Sequence, residues 1–231
     1  MKVVTVIGNR PQFIKAAAVS GPLREAHEEL LVHTGQHYDD ELSTIFVEEL
    51  GIPRPEVELG IGGGTNTEQT GRMLEALGPL LAAEAPDAVL VYGDTNSTLA
   101  GALAAAQALV PVAHVEAGMR SGDMTMPEEL NRILTDHASD LLLCPSRVAV
   151  ENLAIEGLGA RAELVGDVMV DVAELIRPRA AKDSAPLEAA GVQRGEYVLA
   201  TAPRAATADD PERLARLVAL LAAVPETVVL P

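Results

Sequence analysis

Short apolar runs alternate along this chain with longer amphipathic stretches, and polar clusters mark most of the changeovers. Residues 3–8 form a compact apolar run rich in β-branched side chains, as a buried strand does. Pro11 follows at a position suited to the first turn of a helix. That helix runs to about residue 26, with Phe13, Ile14, Ala17, Ala18 and Leu23 as its apolar positions. The same reading predicts strands at 30–34, 88–92, 112–116, 141–144 and 162–165. It predicts helices at 39–50, 66–83, 97–109, 127–139 and 147–156. Gly51, Pro53 and Pro55 interrupt the chain, and residues 60–64 form a glycine-rich loop. Strands alternating with helices of this length predict an α/β fold, a doubly wound parallel sheet with helices on both faces.

The pattern changes after Ile176. The stretch RPRAAKDSAP is polar and carries two prolines, and residues 177–195 are expected to be a linker. A second β-α-β pattern then begins, with a strand at 197–201, a helix at 211–223 and a strand at 227–230. The expected organisation is a Rossmann-like domain over 1–176 and the incomplete start of a second α/β domain over 196–231. Three elements cannot cover both faces of a sheet, so this second segment is expected to be weakly stable by itself.

Composition narrows the function classes. The core must come from Ala, Val and Leu, because the chain has two Phe, three Tyr and no Trp. Few aromatic platforms and a formal charge of −17 argue against a nucleic-acid partner. Cys144 is the single cysteine and lies in the apolar run LLLC, which excludes a disulfide framework or a cysteine-built metal site. No His/Asp/Glu grouping has metal-ligand spacing, so neither a metal nor another cofactor is expected. No charge-free run of 18 apolar residues is present, and the first residues enter a strand directly; a cytoplasmic protein without a membrane span is expected.

Five polar clusters follow predicted strands: GNRP, TGQH, GDTN, EAG and PS. In an open α/β sheet the carboxyl ends of parallel strands share one edge, and ligands bind in the crevice there. Arg10, Lys15, Asp94, Glu116 and Glu129 are therefore expected to converge, two cations and three carboxylates suited to holding an anion and moving a proton. Arg10 and Lys15 flank a helix start, where free N–H groups and the helix dipole favour phosphate. Asp94 begins a helix and is either its cap or a site carboxylate, because Thr95, Asn96 and Ser97 can also cap. Glu116 ends a strand beside Ala117 and Gly118, so it is expected to be partly desolvated and suited to acid/base work. Its structural alternative is an ion pair with Arg120 or Arg132. In TMPEELNR, Thr125 and Glu128 fit a capping box, which leaves Glu129 as the freer glutamate. His114 and His137 are read as structural histidines.

Six motifs in order, GNRPQFIK, TGQHYD, VYGDTNST, HVEAGMRSGD, MPEELNR and LCPS, resemble the non-hydrolysing UDP-N-acetylglucosamine 2-epimerases. The resemblance is dense from residue 1 to about 171 and thinner to the end. It implies a GT-B architecture of two nucleotide-binding-like domains, with this chain covering the first and the opening of the second. It implies interconversion of UDP-GlcNAc and UDP-ManNAc without metal or nicotinamide, feeding cell-surface polysaccharide, in a homodimer that pairs through first-domain helices. The implied catalytic carboxylates fall on Asp94, Glu116 and Glu129, and the implied diphosphate contacts on Arg10 and Lys15. Gln36 and Arg72 match the family's second, activating UDP-GlcNAc site.

Two positions depart from the family pattern. Pro203 stands where the second domain has a histidine, and Ala206 where it has a glutamate. A chain lacking one wall of a cleft loses orientation and water exclusion, so these 231 residues are expected to be impaired as an enzyme. The competing readings are a non-catalytic UDP-sugar-binding relic and a GT-B glycosyltransferase.

Overall fold

The computed structural model describes residues 1–36, 51–202 and 209–230. The chain divides into two compact units, Met1–Ile176 and Arg177–Pro231. The first holds seven parallel strands: β1 (Lys2–Ile7), β2 (Glu28–His33), β3 (Val57–Glu58), β4 (Ala88–Tyr92), β5 (Val112–Val115), β6 (Leu141–Cys144) and β7 (Ala162–Leu164). Their order is β3-β2-β1-β4-β5-β6-β7. Winding therefore reverses between β1 and β4, which pair in register from Val3↔Ala88 to Val6↔Val91. A crevice opens at such a reversal, on the carboxyl edge of the strands.

The helices are α1 (Arg10–Ala26), α2 (Asn66–Glu84), α3 (Asn96–Gln107), α4 (Pro127–Ala138), α5 (Arg147–Ile155) and α6 (Val168–Ala180). Strand alternation sends side chains to two cores. Val4, Val6, Val89 and Val91 face Met73, Leu77 and Leu81 of α2 and the alanines of α3. Val3, Ile7, Leu90 and Tyr92 face Phe13 and Ala16 of α1, with Val168 of α6 in the same cluster. Each fully buried Val or Leu contributes roughly 1.5–3 kcal/mol. α3 is buried almost all round, from Asn96 through Ala105, and its small side chains let it sit directly on the sheet. This is how a core with few aromatics closes.

Most polar groups in these cores are paired, the buried Tyr92 hydroxyl being an exception. Glu29 is buried on β2 and accepts from Thr5 Oγ1 at 2.6 Å, Ser20 Oγ at 3.1 Å and Arg24 Nε at 2.8 Å. Gly8 ends β1 where α3 comes closest. A Cβ there would lie 1.9 Å from Ser97 Oγ and 2.3 Å from Thr34 Oγ1, two hydroxyls that share a 2.8 Å hydrogen bond. Only glycine leaves room for that bond.

The doubly wound parallel sheet matches the expected fold class. The helix predicted at 39–50 lies outside the described residues. The polar stretch expected as a linker is partly helical: α6 continues through Pro178 to Ala180, and α7 covers Ala185–Ala190. Pro186 lies in the first turn of α7, where proline costs nothing, and Gly191 closes that helix in the left-handed region. Proline here starts a helix rather than breaking one. The second unit further holds β8 (Tyr197–Leu199) and β9 (Thr227–Val229), a parallel pair, and α8 (Pro211–Ala222), capped by Asp210. No described residue from Arg177 onward is buried.

Hydrogen exchange should separate the units: amides of β8, β9 and α8 should exchange well before those of β1, β4 and α3, as expected of segments with few buried contacts. Equal protection would contradict this. Gly8→Ala should destabilise the chain by roughly 2 kcal/mol or more, through overpacking and loss of the Thr34–Ser97 bond; a denaturation midpoint within error of the parent would refute the close approach.

Candidate functional site

The reversal point is fastened by a buried glutamine. Gln12 of α1 accepts from the Gly8 N–H at 2.7 Å and donates to the Tyr92 carbonyl at 2.8 Å and to Thr98 Oγ1 at 2.9 Å. It ties the end of β1 to the end of β4 and to the first turn of α3. Asn9 caps α1 through its side chain, and the first turn carries no acid. An N-terminus of this kind points unshielded N–H groups into the crevice. Arg10 stands exposed at its start.

Lys15, one turn further along α1, forms an ion pair with Glu116 Oε2. The pair lies over Gly93, whose missing Cβ position is 3.1 Å from Lys15 Nζ and 3.3 Å from Glu116 Oε2. Gly93 has φ +65° and Glu116 has φ +69°. Glycine adopts that conformation freely, whereas a glutamate there is strained by about 1–2 kcal/mol. Such strain persists where surrounding structure enforces it, typically at functional sites.

Asp94 follows Gly93, and its side chain does not cap α3. Thr95 does, in a reciprocal box with Thr98. Asp94 Oδ2 instead accepts from Arg132 Nη2 at 2.5 Å, and its carbonyl accepts from Asn131 Nδ2 at 3.0 Å. Arg132 also donates to Glu129 Oε2 at 2.8 Å. Asp94 and Glu129 are therefore linked through one guanidinium, and Gly93–Asp94 places that set beside the Lys15–Glu116 pair.

The local geometry of TMPEELNR differs from the expectation. Pro127 forces Met126 into extended backbone, so the helix begins one residue later than a Thr125 cap requires. Met126 is the N-cap, without a side-chain bond, and Glu129 becomes the third helical residue. Thr125 turns back to Asp123, and Glu128 is exposed. Glu129 is the engaged glutamate: it is 1% exposed and accepts from the Ser121 and Gly122 N–H groups at 3.0 and 2.8 Å. Burial pushes its carboxyl up, but those N–H groups and Arg132 outweigh burial and hold it at about 2. It is a fixed anion, not the freer residue expected.

The remaining predicted residues border the crevice. Gln36 Oε1 accepts from the Ser97 N–H at 3.1 Å and from Ser97 Oγ at 2.7 Å. Arg72 donates to the Gly62 and Gly63 carbonyls at 3.1 and 2.5 Å. It lines an open pocket of about 760 Å³ with the glycine loop, Glu68 and Glu75. Gly35, next to Gln36, comes close to Gly60 and Ile61 of the same loop. Pro203 and Ala206 lie outside the described residues.

Sequence reasoning missed Gln12, Asn131 and the bridging role of Arg132. Gln12 was visible within GNRPQFIK as an uncharged polar residue beside Phe13 on the face that turns inward. With Arg132 included, three cations oppose three carboxylates, a locally balanced site in a strongly acidic chain. Among the described residues no group of three or more His, Cys, Asp or Glu could hold a metal, and no helix is long and apolar enough to cross a membrane.

This architecture recurs in known proteins. The family model described as UDP-N-acetylglucosamine 2-epimerase matches residues 23–231. The UDP-2,3-diacetamido-2,3-dideoxy-D-glucuronate 2-epimerase of Pseudomonas aeruginosa is 53% identical over 96% of this chain and 62% of its own. The UDP-N-acetylglucosamine 2-epimerase of Methanocaldococcus jannaschii is 42% identical over 94% of this chain and 61% of its own. A crystal structure of the Methanocaldococcus jannaschii UDP-GlcNAc 2-epimerase in complex with UDP-GlcNAc and UDP superposes with a TM-score of 0.89 at 39% identity, covering all of this chain and 65% of that one. The Neisseria meningitidis UDP-GlcNAc 2-epimerase bound to UDP-GlcNAc does so at 0.89 and 28% identity, over all of this chain and 66% of that one. The chain thus has the GT-B-like fold and spans about three fifths of the relatives' length. By its strand order, its strand-end motifs and these matches, it belongs to the UDP-N-acetylglucosamine 2-epimerase family.

Proposed function

We propose that this protein is a UDP-sugar 2-epimerase that interconverts UDP-GlcNAc and UDP-ManNAc. The observation that carries the reading is the Lys15–Glu116 pair over Gly93, beside the Asp94–Arg132–Glu129 set. In the proposed reaction a carboxylate removes the C2 proton of the sugar. The electrons form a C1=C2 bond as the C1–O bond breaks, and UDP leaves with that pair. UDP then adds back to C1 while a proton is delivered to the other face of C2. Arg10, Lys15 and the α1 N-terminus suit the diphosphate, whose charge develops as it leaves. A diphosphate competing for Lys15 frees Glu116 for proton transfer. Glu129 supports a different role, holding Arg132 against Asp94. The same reading includes a homodimer and a place in polysaccharide synthesis.

A second substrate is favoured by one observation: the relative at 53% identity is named for the 2,3-diacetamido-glucuronate sugar. Both substrates are UDP-linked 2-acetamido sugars and need the same chemistry at C2. Offering each in D₂O and following deuterium at C2 decides between them. Label entering neither, with no UDP binding by calorimetry, would overturn the reading. A non-catalytic binder would hold UDP without exchange, and a glycosyltransferase would transfer sugar without C2 label. Turnover by these 231 residues should be at least 100-fold below that of a full-length relative, given the span covered and Pro203; a rate within tenfold would refute that.

Glu116→Gln should lower kcat on the order of 10²- to 10⁴-fold with little loss of UDP affinity. Lys15→Ala should weaken UDP binding roughly 10- to 100-fold, as loss of a charge-assisted contact does. The reverse pattern would exchange the two roles.

Glu129 yields a pH signature. Its carboxyl is depressed from 4.5 to about 2, so its stabilisation is fully present above about pH 4.5 and is lost as pH falls toward 2. Glu129→Gln should cost roughly 3 kcal/mol of stability at pH 7. Denaturant titrations should show that gap narrowing below pH 4.5. A gap independent of pH would mean the carboxylate is not held as described.

A further inference from the structure

Behind the site lies a buried polar cluster that the proposed reaction does not use. His114, on β5, is fully buried. Its Nε2 lies 2.7 Å from the Gly93 carbonyl and its Nδ1 lies 2.7 Å from Asp136 Oδ1. A carbonyl only accepts, so Nε2 carries a hydrogen. Asp136 Oδ2 already accepts from Arg120 Nη1 at 2.7 Å and from the Gly118 N–H at 3.1 Å. The Arg120 guanidinium and the Gly118 N–H on Oδ2 favour the ionised carboxylate whatever the state of the ring. An ionised Asp136 has no hydrogen to give, so Nδ1 carries one too.

Charge balance agrees. Arg120 also makes a two-pronged contact with Glu156, 2.7 Å on each arm, and His137 Nδ1 approaches Glu156 at 4.0 Å. With a neutral ring, one guanidinium would face two carboxylates in a largely buried cluster. A charged ring gives the buried Asp136 a second cationic partner and leaves Arg120 to be shared with the part-exposed Glu156.

The cluster hydrogen-bonds two of the three left-handed turns at the strand ends. His114 holds the carbonyl of Gly93, and Asp136 holds the N–H of Gly118 (φ +78°), two residues past Glu116. The Gly93 N–H donates to the Val115 carbonyl at 3.0 Å. The Gly93 peptide is thus fixed on both sides beneath the Lys15–Glu116 pair. We propose that His114 is a positioning residue, a buried imidazolium whose two N–H groups set the turns that present Asp94 and Glu116. Its catalytic consequence rests on the function proposed above; its charge state does not.

Nitrogen-15 NMR of the histidine-labelled chain at pH 7 tests the charge directly. Two slowly exchanging ring N–H signals, absent in His114→Gln, are expected. A single ring N–H would overturn the proposal whatever the activity. His114→Gln keeps a donor for Gly93 and His114→Leu keeps none. Per folded molecule, kcat should fall on the order of 10- to 100-fold in the leucine variant and less in the glutamine variant, with KM changed under about threefold. Equal kcat in both variants and the parent would refute the positioning role. Two ring protons in a chain that neither binds UDP nor exchanges C2 would leave the imidazolium standing and remove the functional reading.

Discussion

Everything in the first unit depends on how the ends of β1 and β4 are joined. Two parallel strands that wind away from each other leave a gap at their carboxyl ends, and backbone groups there have no sheet partner. Gln12 fills that requirement with one side chain, serving the Gly8 N–H and the Tyr92 carbonyl from inside the core. The Gly8–Ser97 approach brings α3 to the same point. Since Arg10, Lys15 and Asp94 all lie within a few residues of this junction, its geometry sets the geometry of the site.

The second ordering principle is local charge compensation. A chain at −17 repels anions at a distance. The crevice answers with Arg10, Lys15, Arg132 and a helix N-terminus in one place. The cations are not spent alike. Arg132 is divided between two carboxylates, whereas Lys15 holds one and Arg10 stands in solvent. Charge available to an incoming anion is therefore concentrated on the α1 side, and the carboxylates face it from β4, β5 and α4. In the reaction proposed above, the diphosphate would take the α1 side, with Lys15 at the junction where it meets Glu116.

Much of this was legible in the sequence. The strand-end clusters were visible because a parallel sheet must gather such ends on one edge, whatever their separation along the chain. Helix and strand bounds were recoverable to within one or two residues where caps were explicit, as at Asn9 and Ser146. The capping box at Thr125 misled because Pro127 shifts the helix start, and a one-residue shift reverses which glutamate turns inward. The helices across 177–195 were hidden because their prolines resemble breakers. His114 was read as structural because buried histidines more often satisfy local hydrogen bonds than bind ligands. Its partners, Gly93, Asp136 and through it Arg120, lie on other elements, and no local pattern records a contact between strand and helix. Short β3 carries too few residues to show a period.

Glu116 holds a backbone conformation that glycine would adopt without strain. An unbiased search for sturdier variants, scored on folding alone, would favour glycine at 116 and delete the side chain that pairs with Lys15. Robustness and chemistry compete at this single peptide.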